Sequence, residues 1–211
     1  MRTTEPDEIH GIQVLRGVAA VTVLVHHAIE MSNGSAGRFS PDWLTTSGAV
    51  GVDIFFVISG FTMLHTSFRP SRPPIDPISF LKRRFLRVYP FYWLCLLAMS
   101  AVFLVGFMKS HAIGPARVVQ SVLLLPDDPL INVSWTLSYE VFFYLLFAAS
   151  LLSTARTTTA ILSMAAIAAA ILFGTLTDVP FLANPVMIEF CFALLLALFA
   201  RKAPKALPAN G

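Results

Sequence analysis

The sequence contains few charged residues and only two cysteines. Charged residues make up 13% of its 211 positions, and the formal net charge is +3. A positive charge this small gives no support to nucleic-acid binding, which requires an extended basic surface. Cys95 and Cys191 both fall inside apolar runs, where cysteine behaves as a small hydrophobic residue. The chain therefore shows neither a disulfide framework nor cysteine spacing for a metal.

Several nucleotide-binding and hydrolytic motifs are also absent. The sequence has no Gly-x-x-x-x-Gly-Lys phosphate-binding loop and no His-Glu-x-x-His metalloprotease motif. Ser59 precedes Gly60 but lacks the Gly-x-Ser-x-Gly turn of serine hydrolases. These absences argue against a P-loop nucleotidase, a zinc protease and an α/β-hydrolase, and we expect no metal in the protein.

Hydrophobic residues are what the chain has in excess. They make up 56% of the sequence, and the mean hydropathy is +0.72, far above the range of soluble domains. The sequence therefore predicts an all-α fold, a polytopic transmembrane helix bundle that forms a single membrane domain over residues 1–211. Because a spanning helix needs about 20 apolar residues, about six spans are expected. They are predicted at residues 12–31, 48–68, 88–108, 133–152, 158–174 and 184–200.

Three other segments bear on the membrane topology. Residues 118–125 are apolar but too short to cross, and Pro126 follows, so they are interpreted as a re-entrant or interfacial piece. Tyr89, Tyr92 and Trp93 open the third span at the height of an aromatic belt. The polar start of the chain is unlike a signal peptide, so the first span is expected to be an uncleaved helix.

The distribution of basic residues predicts that both termini are cytoplasmic. Six spans with the N-terminus inside put twelve of the fifteen Lys and Arg residues on the inner side and three on the outer side. Such a bias is the signature of the positive-inside rule. The inner residues are Arg2, Arg16, Arg69, Arg72, Lys82, Arg83, Arg84, Arg87, Arg156, Arg201, Lys202 and Lys205; the outer ones are Arg38, Lys109 and Arg117.

The first span carries an arginine near its start and a histidine further along. Eleven residues separate Arg16 from His27, which brings them within about 20° of each other on a helix and about 16 Å apart along its axis. Ionisable groups inside a membrane helix are costly and usually functional. The alternative is that Arg16 is a snorkelling boundary residue and His27 a satisfied contact within the bundle.

Two acidic residues are expected at a depth similar to that of His27. Glu140 lies about 12 Å into a helix that enters from outside, and Asp53 enters from the same side. A histidine beside a carboxylate can act as a general base with an orienting partner, and Glu30, three residues after His27, is a second candidate for that partner. A structural ion-pair network that holds helices together is the alternative interpretation.

A basic cluster precedes the third span. Arg83, Arg84 and Arg87 fall on one helical face just inside the membrane. Three guanidinium groups suit a polyphosphate ligand. Anchoring to anionic lipid head groups is an equally common use of such clusters.

Four motifs occur in a recognisable order. They are Leu15-Arg16-Gly17 running to His27, residues 51–61 (GVDIFFVISGF), residues 83–90 (RRFLRVYP) and residues 134–140 (SWTLSYE). In this combination the chain resembles the membrane-bound acyltransferase 3 family, whose bacterial members O-acylate cell-surface and exported polysaccharides. The resemblance covers Ile12 to about Phe147.

The resemblance implies a transmembrane O-acyltransferase of the bacterial inner membrane. An acyl group, usually acetyl, would pass from cytoplasmic acyl-CoA to a hydroxyl of a glycan acceptor. His27 would be the general base, with Glu140 or Asp53 as its orienting acid. The CoA phosphates would lie on Arg83, Arg84 and Arg87, and the pantetheine arm beside Arg16.

Two departures from the family pattern affect this interpretation. Val141 stands where a second acid is common, and the chain has fewer spans than family members usually have. It is therefore expected to correspond to the N-terminal part of the family domain, truncated at the C-terminus. The alternatives are a catalytically silent truncated protein, one part of a split acyltransferase completed by another chain, and a small transporter with His27 and Glu140 as a proton relay.

Overall fold

The computed structural model describes residues 10–36, 49–68, 75–105, 114–126 and 129–200. These ranges contain helices and connecting turns but no β-strand, so the predicted all-α fold is confirmed. A short 3-10 turn, Asn132–Ser134, leads into the fifth helix. The helices are α1 (His10–Ala36), α2 (Ala49–Ser67), α3 (Pro77–Leu104), α4 (Pro115–Leu123), α5 (Trp135–Ser150), α6 (Arg156–Thr177), α7 (Pro180–Ala183) and α8 (Met187–Ala200).

Four of these helices are long and apolar enough to cross a membrane. The qualifying segments are Gly11–Glu30, Val50–Ser67, Pro77–Val102 and Arg156–Thr177. Helices α5 and α8 coincide with the fourth and sixth predicted spans but have only 16 and 14 residues. A straight 14-residue helix is about 21 Å long, shorter than a hydrocarbon core of about 30 Å.

Helix α3 begins eleven residues before the predicted third span, at Pro77 rather than at residue 88. The Asp76 carboxylate accepts a hydrogen bond of 2.9 Å from the backbone N–H of Ser79. Pro77 follows at the first helical position, where its missing N–H costs nothing. The basic residues from Lys82 to Arg87 are therefore on the same helix as the apolar segment that follows.

Aromatic side chains of α3 donate hydrogen bonds to the carbonyl groups at the C-terminal end of α4. The hydroxyl of Tyr92 donates to the carbonyl of Ser121 at 2.7 Å, and the indole N–H of Trp93 donates to Val122 at 3.0 Å. Tyr89 donates to Leu123 at 3.3 Å. The last carbonyls of a helix have no partner within it, so these three donors complete the hydrogen bonding of α4 and fix it against α3.

The described helices group into two compact units. One unit contains α1, most of α2, and α8 from Ile188 onward; the other runs from Thr66 to Met187. In the first unit, the close approach of α2 to α1 and to α8 depends on two glycines. A Cβ at Gly51 would lie 2.9 Å from the Ala19 carbonyl oxygen of α1, and a Cβ at Gly60 would lie 2.6 Å from Ala193 Cβ of α8.

Gly51→Val is expected to lower the thermal stability of the protein. The new side chain must push α1 and α2 apart, and overpacking of this kind costs about 1–3 kcal/mol. Fluorescence-detected size-exclusion after heating would measure the loss. Gly17→Val is the matched control, because a Cβ at Gly17 meets nothing within 4 Å. Equal loss of stability in both variants would contradict the packing assigned to Gly51.

Several basic residues of the predicted charge pattern lie outside the described residues, namely Arg2, Arg38, Arg69, Arg72, Lys109, Arg201, Lys202 and Lys205. The orientation of the protein in the membrane therefore stays a prediction.

Candidate functional site

A histidine pair and a glutamate lie together on α1. Nδ1 of His27 is 3.2 Å from Oε2 of Glu30, and Nε2 of His26 is 3.8 Å from the same oxygen. The i,i+3 and i,i+4 spacings place these side chains on adjacent positions of the helix surface. His27 and Glu30 form a histidine–carboxylate dyad, and the contact at Nδ1 leaves Nε2 as the ring nitrogen that can accept a proton.

The same three residues offer a possible ligand set. Their donor atoms lie within 4.8 Å of one another. Two histidines and one carboxylate are a donor set that Zn²⁺ accepts. The expectation that the protein uses no metal stays a prediction.

Arg16 links α1 to α2. Its Nη2 donates to Oγ1 of Thr62 at 3.5 Å. The Thr62 hydroxyl donates in turn to the backbone carbonyls of Ile58 and Ser59, at 2.7 and 3.1 Å. The predicted arginine of the first helix is thus held in a defined position by the second helix, with further N–H donors on the guanidinium for other contacts.

Asp53 has an acidic partner that sequence reasoning did not pair with it. The carboxyl groups of Asp53 and Glu189 are close enough to hydrogen-bond. Oε2 of Glu189 is buried and receives no hydrogen bond from the described part of the chain. The packing of α2 against α8 thus brings two carboxyl groups together.

Arg84 lies against two aromatic rings in the other unit. Its guanidinium carbon is 5.3 Å from the centre of the Phe80 ring and 5.5 Å from that of Tyr144. The Tyr144 hydroxyl donates to Oε1 of Glu140 at 2.5 Å. Cation–π contacts and the nearby carboxylate both favour the charged guanidinium in a half-buried position. Arg84, Tyr144 and Glu140 therefore form one connected group.

The other two arginines of the cluster differ from Arg84 in exposure. Arg83 and Arg87 are exposed, one on each side of it along α3. Their guanidinium groups can reach a ligand that approaches from water. The cluster thus combines one fixed cation with two accessible ones.

The structure brings together some of the predicted site residues. Within the second unit, Glu140 and Arg84 share Tyr144 as a contact. Within the first unit, the acid that contacts His27 is Glu30, the second candidate from the sequence. His27 and Glu140 belong to different units, and their approach stays a prediction. Tyr144 and His26 were not singled out from the sequence, although each lies four residues from an acid that it contacts.

Comparison with known proteins covers nearly the whole chain. The profile of a family described as acyltransferase domain matches residues 9–209. The exopolysaccharide production protein ExoZ of Rhizobium meliloti is 38% identical over 114 residues, which cover 50% of this chain and 35% of that protein. Protein 2 in the picA locus of Rhizobium radiobacter is 34% identical over 105 residues, covering 49% of this chain and 50% of that protein.

A third relative matches a larger share of this chain. The O-acetyltransferase OatA of Staphylococcus aureus is 30% identical over 160 residues, covering 67% of this chain and 24% of that protein. The chain thus spans half or less of the length of these relatives. No solved structure gives a significant match. Because the family profile covers almost every residue, the chain belongs to the acyltransferase 3 family.

Proposed function

We propose that the protein takes part in O-acyl transfer at the bacterial inner membrane. The donor is cytoplasmic acyl-CoA, with acetyl as the first acyl group to test, and the acceptor is a hydroxyl of a cell-surface or exported polysaccharide. Family membership supports the reaction class. The names of two relatives, an exopolysaccharide production protein and an O-acetyltransferase, support the acceptor and the acyl group.

The observation that carries the proposal is the contact between His27 Nδ1 and Glu30 Oε2 at 3.2 Å. A carboxylate at Nδ1 fixes the tautomer and orientation of the ring and stabilises the imidazolium. The free Nε2 is then a general base for a hydroxyl group. Glu140 and Asp53 remain proposed members of the same catalytic group.

The proposed step needs no group beyond donor, acceptor and imidazole. Nε2 of His27 takes the proton of the acceptor hydroxyl as the oxygen attacks the thioester carbonyl. A carbon–oxygen bond forms and the carbon–sulfur bond breaks. The departing CoA thiolate takes the proton back from the imidazolium, so the histidine ends in its starting state.

In this proposal, arginine side chains hold the phosphates of the acyl-CoA donor. Arg83 and Arg87 are exposed and flank the half-buried Arg84, an arrangement that suits the diphosphate of CoA. Arg16 is proposed to lie beside the pantetheine arm. We infer that residues 1–211 act as one membrane domain with cytoplasmic termini, so that this cluster faces the soluble donor.

Transfer of label from acetyl-CoA tests the proposal. Membranes that contain the chain should move labelled acetyl groups to polysaccharide, and membranes from cells that lack it should not. A second arm adds the chain to membranes that carry longer family members, since another chain is a proposed partner. If the chain raised the labelling of polysaccharide in neither arm, the proposed activity would be wrong.

Glu30→Gln is expected to lower kcat by about tenfold or more, the effect of losing a hydrogen bond to a charged group. The KM for donor and acceptor should change little, because Glu30 acts through His27. Glu30→Asp should restore part of the rate. Ser32→Ala, an exposed change on the same helix, is the control. If a chelator abolished activity as completely as Glu30→Gln does, the three residues would be metal ligands instead of a dyad.

A further inference from the structure

An apolar cavity includes Arg84 of the arginine cluster in its lining, and its apolar part has no role in the proposed reaction. Its volume is about 490 Å³, within the range of ligand sites in proteins. It lies wholly in the unit that runs from Thr66 to Met187. Helices α3 and α5 form its walls through side chains such as Val88 and Val141, and Phe181 contributes from α7.

The polar side chains that line the cavity, other than Arg84, already donate hydrogen bonds within the protein. Tyr89 donates to the Leu123 carbonyl, and Tyr144 donates to Glu140. The Ser138 hydroxyl donates to the Ser134 carbonyl. Arg84 also lines the cavity, and a guanidinium has five N–H donors, more than its contact with the Tyr144 hydroxyl uses.

This lining is unsuitable for the pantetheine arm of CoA. Pantetheine contains two amide groups, and burying an amide without a hydrogen-bond partner is costly. A hydrocarbon chain carries no such cost, and each methylene group removed from water makes its binding more favourable. The cavity therefore suits a hydrocarbon chain.

The mouth of the cavity is apolar as well. Phe85, Leu123 and Leu145 lie on its rim and are between 44% and 54% exposed. The rim belongs in part to α3, one of the helices able to cross a membrane. Exposed apolar side chains of this kind are favoured in lipid and unfavourable in water, so the occupant enters sideways from the bilayer.

We infer that the cavity binds one hydrocarbon chain of an anionic phospholipid whose phosphate contacts Arg84. The positive charge of Arg84 and its exposed neighbours Arg83 and Arg87 complements the phosphate, and the apolar walls complement the chain. This site shares Arg84 with the proposed donor site, whereas Arg83 and Arg87 do not line the cavity.

Photolabelling of the protein in nanodiscs tests the site. The probes are phosphatidylglycerol and diacylglycerol that carry the same diazirine-bearing chain, and diacylglycerol lacks the phosphate. Phosphatidylglycerol should label peptides of α3 and α5, and diacylglycerol should label them much less. Arg84→Gln should lower phosphatidylglycerol labelling by about tenfold, the effect of losing a hydrogen bond to a charged group.

Two further variants distinguish binding of the hydrocarbon chain from recognition of the lipid head group. Val141→Trp fills the cavity and should abolish labelling by both probes. Leu97→Trp, an exposed change further along α3, should leave both unchanged. If Val141→Trp does not insert, Leu125→Glu at the exposed mouth replaces it and should act in the same way.

Several outcomes would overturn the inference. Equal labelling by the two probes in the unmodified protein would show that the head group is not recognised. Displacement of the probe by soluble acyl-CoA but not by unlabelled phosphatidylglycerol would assign the cavity to the donor. These results do not depend on acyl transfer, so the lipid site and the proposed activity can fail separately.

Discussion

His27→Ala is expected to lower acyl transfer by about 10²–10⁴-fold, the contribution of a positioned general base. The physical reason is that alanine leaves no group at this position to accept the hydroxyl proton. The helix should still form, because alanine is the most favourable helix residue. Initial rates of label transfer from acetyl-CoA, normalised to the amount of inserted protein, would measure the effect.

Two other histidines provide the comparison. His65→Ala changes a histidine of α2 that stacks on Phe61 and should leave the rate near that of the unmodified protein. His26→Ala removes the neighbouring ring, which contacts Glu30 at the longer distance of 3.8 Å, and should have an intermediate effect. A variant without His27 that kept its full rate would disprove the assignment of the base.

Replacing Arg83 and Arg87 together by glutamine is expected to raise the KM for acyl-CoA by about 10²-fold. Each lost hydrogen bond to a charged phosphate costs about 1.5–3 kcal/mol, and the two losses are not fully additive. The kcat at saturating donor should change little, because neither residue contacts the reacting carbonyl in the proposed arrangement. Steady-state rates over a range of acetyl-CoA concentrations would separate the two parameters.

Lys82→Gln is the matched control for this double variant. Lys82 is an exposed cation on the same turn of α3 and is not part of the proposed donor site. It should leave the KM unchanged. If the control raised the KM as much as the double variant does, the effect would come from overall charge. A change in inserted protein alone would support the lipid-anchoring alternative.

Local contacts of the site could be read from the sequence, because helix geometry fixes them. His27 and Glu30 are three residues apart, and Phe80 and Arg84 are four apart, so helical spacing alone predicts that each pair is adjacent. The same holds for Glu140 and Tyr144. The start of α3 also had a sequence signal, since Asp76 followed by Pro77 is typical of an N-cap and first helical position.

Contacts between helices could not be read in this way. The pairing of Asp53 with Glu189 depends on how α2 and α8 pack, which Gly60 and Ala193 determine through their small size. Likewise, Tyr144 reaches Arg84 only because α5 packs against α3. Apolar composition predicts that these helices exist but carries no information about which faces meet.

The side chains that end α4 have a consequence for how this region meets the membrane surface. Tyrosine and tryptophan at an interface usually direct their polar ends to water or lipid head groups. In Tyr89, Tyr92 and Trp93 those O–H and N–H groups are committed to peptide carbonyls of the protein itself. These three side chains therefore bind α4 to α3, and the same hydrogens are not available to water or lipid head groups.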